Sequence, residues 1–144
     1  MTSLQDLYEK YKNAVIRINI DRNTITNNTI MDNVTDDTDN SMFSRASGFL
    51  INFNNKIYCI TCTHVILINN QTNTPYRKIY GTVNNVNGTD HFRIFPMRIV
   101  GVDVHSDIAV LEFKDCPLNP VTVNFGNNRN ERIGNVCWTS GNLL

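Results

Sequence analysis

The chain has 144 residues, 41% of them hydrophobic, and its 13 basic and 13 acidic residues give a formal net charge of zero. This length fits one domain with a modest core, or one half of a two-barrel protein. Basic residues are scattered and matched by acids, which argues against nucleic acid as a partner. No apolar run approaches the roughly 20 residues of a membrane-spanning helix, so we expect no membrane partner.

Two features of the sequence bear on where the protein is located. Residues 1–7 lack the basic and apolar regions of a signal peptide. The four cysteines, Cys59, Cys62, Cys116 and Cys137, fit free thiols in a reducing compartment. We therefore expect a cytoplasmic or other reducing intracellular location. Asparagine makes up roughly one residue in six, which indicates an AT-rich genome such as that of a virus.

The first predicted elements are a helix, a strand and a loop. Over residues 3–13, apolar and aromatic side chains recur at helical spacing after Ser3, a typical N-cap. The alternating, β-branched residues 14–20 predict a strand. Residues 21–45 are polar and without periodicity, which predicts a long mobile loop that limited proteolysis should cut first.

The rest of the chain predicts a series of short strands. Residues 46–66 read as a hairpin with strands at 48–53 and 57–61 and its turn at 54–56. A tight turn is predicted at Asn87 and Gly88. Further strands are predicted at residues 78–83, 91–100, 108–113, 121–125 and 135–140. Six or seven short strands after one short helix indicate an all-β fold, either a barrel or a sandwich.

Two polar residues stand at the ends of predicted strands. His64 follows one apolar strand and Asp107 precedes another, and such a pair supplies two of the three groups that activate a serine or cysteine nucleophile. The third group should sit on a G-x-S-G turn, which occurs nowhere in the sequence. Ser47, Ser106 and Ser140 lack that glycine-flanked turn, so none of them is predicted to be a nucleophile.

Other residues could supply the carboxylate or the imidazole in place of Asp107 or His64. The competing carboxylates are Asp90 and Asp103, and the competing imidazoles are His91 and His105; His105 is interpreted as a surface residue.

The C-x-x-C spacing of Cys59 and Cys62 is typical of zinc or redox sites. In a strand, however, residues i and i+3 point to opposite faces, so a metal could not bridge the two thiols without breaking the strand. Core packing is therefore the predicted role of these cysteines. A zinc protein using Cys59, Cys62 and His64 is a minor alternative, and the sequence predicts no cofactor and no metal ligands.

Four groups of residues together carry a family resemblance. The first group, residues 15–18 with 46–51, is similar to an opening pair of strands. The second group, residues 61–66, is similar to a T-x-A-H-V-[VI] motif. Residues 100–111 are similar to V-G-x-D followed by D-[IL]-A-[VL]-L, and residues 125–142 to a later segment ending in x-G-N. In this order the motifs resemble the trypsin-like serine peptidases of the bacterial HtrA (DegP-like) type. The chain departs from them at Cys62 and Thr63, where the family usually has small residues.

The resemblance implies a fold and an activity. It implies an antiparallel trypsin-like β-barrel over residues 1–144, the first of the usual two, with a short N-terminal helix. It also implies serine-type endopeptidase chemistry, the hydrolysis of peptide bonds, with His64 as general base and Asp107 orienting it. In the family the second barrel holds the nucleophile, the oxyanion-hole amides and the substrate side-chain pocket, so we expect this chain alone to be inactive.

The missing nucleophile leaves open whether the chain is itself an enzyme. The alternatives are a non-catalytic β-barrel binding module, half of a split peptidase, or a degenerate peptidase. The expected partner is a polypeptide substrate, if a second barrel completes the fold. Without that barrel, Val136, Trp138, Leu143 and Leu144 would lie at least partly exposed, which predicts self-association or the binding of a separate polypeptide that completes the fold.

Overall fold

The computed structural model describes residues 3–21, 43–69, 74–75, 78–84, 92–115, 119–135, 137 and 139–141. Its strands are β1 (Val15–Asp21), β2 (Phe43–Phe53), β3 (Lys56–Thr61), β4 (Leu67–Asn69), β5 (Thr74–Pro75), β6 (Lys78–Val83), β7 (Arg93–Asp103) and β8 (Ile108–Phe113). Helix α1 spans Leu4–Tyr11 and the one-turn helix α2 spans Thr63–Ile66. Short 3₁₀ turns cover Lys12–Ala14 and Asn128–Asn130.

Six strands form a closed antiparallel barrel in the order β1-β2-β3-β8-β7-β6. Strand β1 closes it by pairing with β2 on one side and with β6 on the other. Strands β4 and β5 form a separate two-stranded ribbon. The predicted all-β barrel with a short N-terminal helix is confirmed.

Helix α1 depends on its cap rather than on burial. The Ser3 hydroxyl accepts a hydrogen bond from the Asp6 N–H at 3.1 Å, and the Asp6 carboxylate accepts one from the Ser3 N–H at 3.4 Å. This reciprocal capping box satisfies two N–H groups that have no partner inside the helix. None of the residues of α1 is buried, so the helix lies on the outside of the barrel. Neither of the described helices is long and apolar enough to span a membrane.

The barrel interior is filled by alternate residues of the strands. In β1, Ile16, Ile18 and Ile20 are buried while Val15, Arg17 and Asn19 between them are only partly so. This two-residue alternation is the pattern of a strand with one face toward a core. The other core side chains are Leu50, Cys59, Ile66, Leu67, Ile79, Val83, Phe95, Met97, Ala109, Leu111 and Phe113.

The predicted hairpin is confirmed for β2 and β3 but ends earlier than expected. Its turn holds Asn54 and Asn55 at φ angles of 52° and 64°, the left-handed conformation that a tight hairpin turn requires and asparagine tolerates. Strand β3 ends at Thr61, and the next residues form α2 rather than more strand. The predicted second strand, residues 57–61, is therefore confirmed, whereas residues 63–66 at the end of the predicted hairpin form α2.

Two predicted strands near the end of the chain are absent from the described residues. Residues 121–125 make a single parallel bridge, between Val123 and Ile51, and the Val123 N–H donates to the Leu50 carbonyl at 2.8 Å. Residues 135, 137, 139 and 140 are irregular. Strand β1 covers this edge of β2 as far as Phe49, so the edge offers room only for this short contact at Leu50 and Ile51.

The predicted loop at residues 21–45 is also corrected at both ends. Asp21 pairs with Phe43, Ile20 with Ser44, and the pairing continues along β1 and β2. Residues 22–42 lie outside the described residues. So do the predicted turn at Asn87 and Gly88, and the four apolar residues expected to lie exposed near the end of the chain.

Gly48 occupies a place where no side chain fits. A Cβ there would lie 2.5 Å from the Cys59 Sγ, 2.8 Å from the Ile18 Cδ1 and 3.0 Å from the Ile60 carbonyl oxygen. We therefore expect Gly48→Ala to lower the free energy of unfolding by about 1–3 kcal/mol, the usual cost of overpacking. Gly101→Ala is the matched control, because nothing lies within 4 Å of its Cβ position. Urea unfolding curves that coincide for the two variants would contradict the tight contact.

Candidate active site

The barrel brings two distant parts of the chain together at one rim. His64 lies in α2, directly after β3, and Asp107 lies in the turn between β7 and β8. Strands β3 and β8 are hydrogen-bonded neighbours, with Thr61 opposite Ala109. The end of β3 and the start of β8 therefore lie side by side, each carrying one of the two predicted site residues.

His64 and Asp107 are in direct contact. The His64 Nδ1 lies 2.6 Å from the Asp107 Oδ2, and the His64 backbone N–H donates to the Oδ1 at 2.8 Å. The predicted hydrogen-bond reach is thus confirmed, whereas the catalytic role of the pair remains a prediction. Because the carboxylate engages Nδ1, the Nε2 is the ring nitrogen left for a reacting group. We call this pair the dyad.

The backbone of Asp107 is also fixed. Its N–H donates to the Val104 carbonyl at 3.3 Å, and its own carbonyl accepts from the Thr63 N–H at 3.3 Å. Its φ of 58° is left-handed, a conformation that aspartate adopts more readily than most residues and that is often found at functional sites. The His64 backbone N–H, followed by its ring, lowers the pKa of Asp107 below the ordinary 3.8.

Thr63 contacts the turn that carries Asp107, which the sequence did not predict. Its buried hydroxyl donates to the Ile108 carbonyl at 2.7 Å, and the Asp103 carbonyl lies 3.2 Å away as a second acceptor. The hydroxyl thus ties α2 to both ends of the turn that carries Asp107. The sequence did contain a sign of this contact, because position 63 holds Thr where the resembled family usually has a small residue before the histidine.

The sequence offered other carboxylates and imidazoles as alternatives to the dyad. The Asp103 carboxylate accepts from the Ser106 N–H at 3.2 Å, which caps the turn and lowers the pKa of Asp103. His105 lies exposed in the same turn, as the sequence predicted. Asp90 and His91 lie outside the described residues.

The predicted core-packing role is confirmed for Cys59 and wrong for Cys62. Cys59 is buried in the core, and this burial raises the pKa of its thiol to about 12. Cys62 is exposed, and one ligand atom each from Cys62, His64 and Asp107 lie within 4.8 Å of one another. The sequence missed this cluster because it placed Cys62 inside a continuing strand. The strand instead ends at Thr61, before the chain folds into α2.

An open cavity of about 760 Å³ lies next to the dyad. Its lining is mostly apolar and aromatic, and it reaches Cys62 and Asp107 at one end. Helix α1 contributes Tyr8 and Tyr11 to the lining, which also includes Ile108 and Phe125. Ser47 and Ser140, which the sequence rejected as nucleophiles, also lie along this cavity.

A family model described as a trypsin-like peptidase domain matches residues 46–143. The chain belongs to the trypsin-like peptidase family. No curated protein matches the sequence.

Solved structures share the fold of this trypsin-like domain. The HtrA-type protease AlgW, solved with a tripeptide, is similar with a TM-score of 0.60 and 17% identity, covering 92% of this chain and 33% of that one. A serine endoprotease from Yersinia pestis is similar with a TM-score of 0.58 and 21% identity, covering 93% and 37%. At these identities the likeness concerns the fold alone. This chain spans about a third of the length of these solved chains.

The hydrogen bonds to Asp107 in this trypsin-like domain predict a pH-dependent stability. Because its pKa is lowered from 3.8, the carboxylate contributes stability that is present above that value and lost as the pH falls through the lower folded pKa. We expect Asp107→Asn to unfold at a lower temperature than the parent at about pH 7, and the difference to shrink toward about pH 2. Asp115→Asn, at an exposed site after β8, is the control. A difference between Asp107→Asn and the parent that stays constant over this range would contradict the assignment.

Thr63 is expected to position the dyad through its hydroxyl. Thr63→Val keeps the shape but removes the hydrogen bond, so we expect a loss of about 1–2 kcal/mol in stability. The hydrogen-bonded Nδ1 proton of His64, followed by ¹H NMR, should broaden or shift upfield. Thr63→Ser retains the hydroxyl and should preserve that proton signal, even if the lost methyl costs stability. Loss of the signal in both variants would show that packing, rather than the hydroxyl, positions the pair.

Proposed function

We propose that this chain is the base-bearing barrel of a serine-type endopeptidase, with His64 as general base and Asp107 as its orienting acid. The observation that carries the proposal is the 2.6 Å contact between the His64 Nδ1 and the Asp107 Oδ2 at the rim of the barrel. Membership of the trypsin-like peptidase family supports peptide-bond hydrolysis as the reaction.

Each member of the dyad has a defined task in this proposal. The His64 Nε2 accepts the proton of the attacking nucleophile and later delivers it to the leaving amine. Asp107 accepts a hydrogen bond from the Nδ1–H, which selects the tautomer with a free Nε2 and stabilises the imidazolium ion when it forms. The hydrogen bonds that lower the pKa of Asp107 favour its ionised form, which is the form this role requires.

The proposed reaction needs groups that these 144 residues do not contain. The sequence has no G-x-S-G turn to present a nucleophile. In the proposal a second barrel, on the same or another polypeptide, packs beside the dyad and supplies the nucleophile and the oxyanion-hole donors. The cavity next to Asp107 supports such a partner, because Ile108 and Phe125 line it while 47% and 70% exposed.

Exposure of the dyad argues that the barrel needs this partner. The side chains of His64 and Asp107 are 60% and 44% exposed, so water screens the charge that develops on the ring. Peptidase sites gain most of their rate from preorganised dipoles in a site that excludes water. A polypeptide packed over the cavity would exclude water from one side of the dyad.

The proposal is tested by labelling with a fluorophosphonate probe and by cleavage of unfolded casein. The 144-residue chain alone should be unlabelled and inactive. The assembly that contains this chain in its natural source should be labelled on a serine outside residues 1–144. His64→Ala in that assembly should abolish labelling and cleavage, and Asp107→Asn should lower kcat about 10⁴-fold. His105→Gln, an exposed histidine two residues from Asp107, is the matched control and should leave both unchanged.

Two results would overturn the proposal. Labelling of Ser47, Ser106 or Ser140 would place the nucleophile inside this chain. A natural assembly that is unlabelled and inactive with both the parent chain and His64→Ala would favour the non-catalytic binding module instead.

A further inference from the structure

An exposed thiol lies beside the dyad. Cys62, His64 and Asp107 each offer one ligand atom, and these three atoms lie within 4.8 Å of one another. We propose that the three residues form a binding site for a thiophilic divalent cation of the zinc class, and that the bound ion blocks His64 as a base. We call these residues the rim cluster.

The atoms of the rim cluster are close enough to share one ion. Zinc binds cysteine sulfur at about 2.3 Å, histidine nitrogen at about 2.0 Å and carboxylate oxygen at about 2.1 Å, so two ligand atoms on one tetrahedral ion are about 3.3–3.6 Å apart. The ligand atoms of the cluster, which lie within 4.8 Å of one another, therefore have to close by about 1.3 Å at most. Since all three side chains reach the surface, small rotations suffice and the ion enters directly from solvent.

A C-x-x-C metal site would require breaking the strand, and the local fold explains why the rim cluster does not. Cys59 is buried and faces the core, so it cannot join a surface ion. Cys62 is the extended residue between β3 and α2, with φ −92° and ψ 142°. The following helical turn places His64 on the same side of the rim as Cys62. Asp107 takes the position of the third ligand, and β3 stays intact.

The chemistry of the three ligands selects the class of cation. Sulfur and imidazole ligands favour zinc and similar transition metals, whereas magnesium and calcium prefer oxygen alone. On binding, the Cys62 thiol loses its proton to solvent and the sulfur replaces a water on the ion. The thiolate and the Asp107 carboxylate then balance the two positive charges. Three protein ligands leave a fourth tetrahedral position for water or another ligand.

Binding of the ion has a consequence that rests on the proposed function. The neutral imidazole ring has one available nitrogen lone pair, and the cation takes it. The other ring nitrogen then carries the proton and cannot accept another, and coordination by Asp107 weakens its support of the ring. A site closed by the ion would therefore be unable to activate a nucleophile. The binding itself depends only on the geometry of the rim cluster.

Cobalt(II) provides a test that is independent of peptidase activity. The reduced 144-residue chain is titrated with cobalt chloride, and absorption spectra are recorded. We expect one thiolate-to-cobalt charge-transfer band in the near ultraviolet, with d–d bands of tetrahedral intensity, saturating at one ion per chain and abolished by added zinc. Magnesium added in excess should leave the bands unchanged.

Variants assign the ligands one by one. Cys62→Ser should remove the charge-transfer band, and His64→Ala and Asp107→Asn should each weaken cobalt binding by about tenfold or more. Cys137→Ser and His105→Gln, which alter an exposed thiol and an exposed imidazole outside the cluster, are the matched controls. Far-ultraviolet circular dichroism and urea unfolding verify that each variant is folded.

Three results would overturn the inference: no charge-transfer band in the parent chain, a band that survives Cys62→Ser, or unchanged affinity in Asp107→Asn. The outcome of the cobalt titration is independent of the outcome of the fluorophosphonate labelling. A bound ion without a labelled serine would leave the rim cluster as a metal site on a non-catalytic barrel. A labelled serine without cobalt binding would leave the peptidase proposal intact.

Discussion

The pairing of β3 with β8 is the constraint on which the site depends. These strands are separated by more than 40 residues along the chain, yet Tyr58 to Thr61 pair in register with Glu112 to Ala109. A closed barrel fixes that register, because a shift of one residue would turn every core side chain toward solvent. The register in turn sets the distance between the end of β3 and the turn before β8. The dyad is thus a consequence of barrel closure rather than of any local motif.

Rigidity at the rim comes from hydrogen bonds that cross between these two segments. Asp107 uses both carboxylate oxygens and its carbonyl to bind Thr63 and His64, and the Thr63 hydroxyl bonds back to the Ile108 carbonyl. Several contacts therefore hold the turn in the left-handed conformation that Asp107 adopts. A side chain fixed this way loses little further entropy when the ring next to it becomes charged, which is what an orienting acid requires.

Local patterns predicted the strands, but only the closed fold determines which of them pair. The bounds of β6 and β8 follow from alternating apolar residues, and the dyad was found because motif order placed His64 and Asp107 after and before such strands. Residues 121–125 have the same kind of pattern but make a single bridge, because β1 occupies the neighbouring edge of β2 as far as Phe49. Cys62 and Thr63 were missed for a related reason. The apolar run around them continues through residue 66, while the backbone turns at residue 62.

The exposure of the dyad connects the two proposals. In the isolated barrel the His64 and Asp107 side chains face water, which weakens them as a catalytic pair and opens them to a cation from solvent. A second polypeptide packed along the adjacent cavity would reverse both effects, because it would desolvate the ring and cover Cys62 and Asp107, which line that cavity. Metal binding and assembly would then compete for one face of the barrel. Under the two proposals, Cys62, His64 and Asp107 are accessible to a cation only while no second polypeptide covers this face of the barrel.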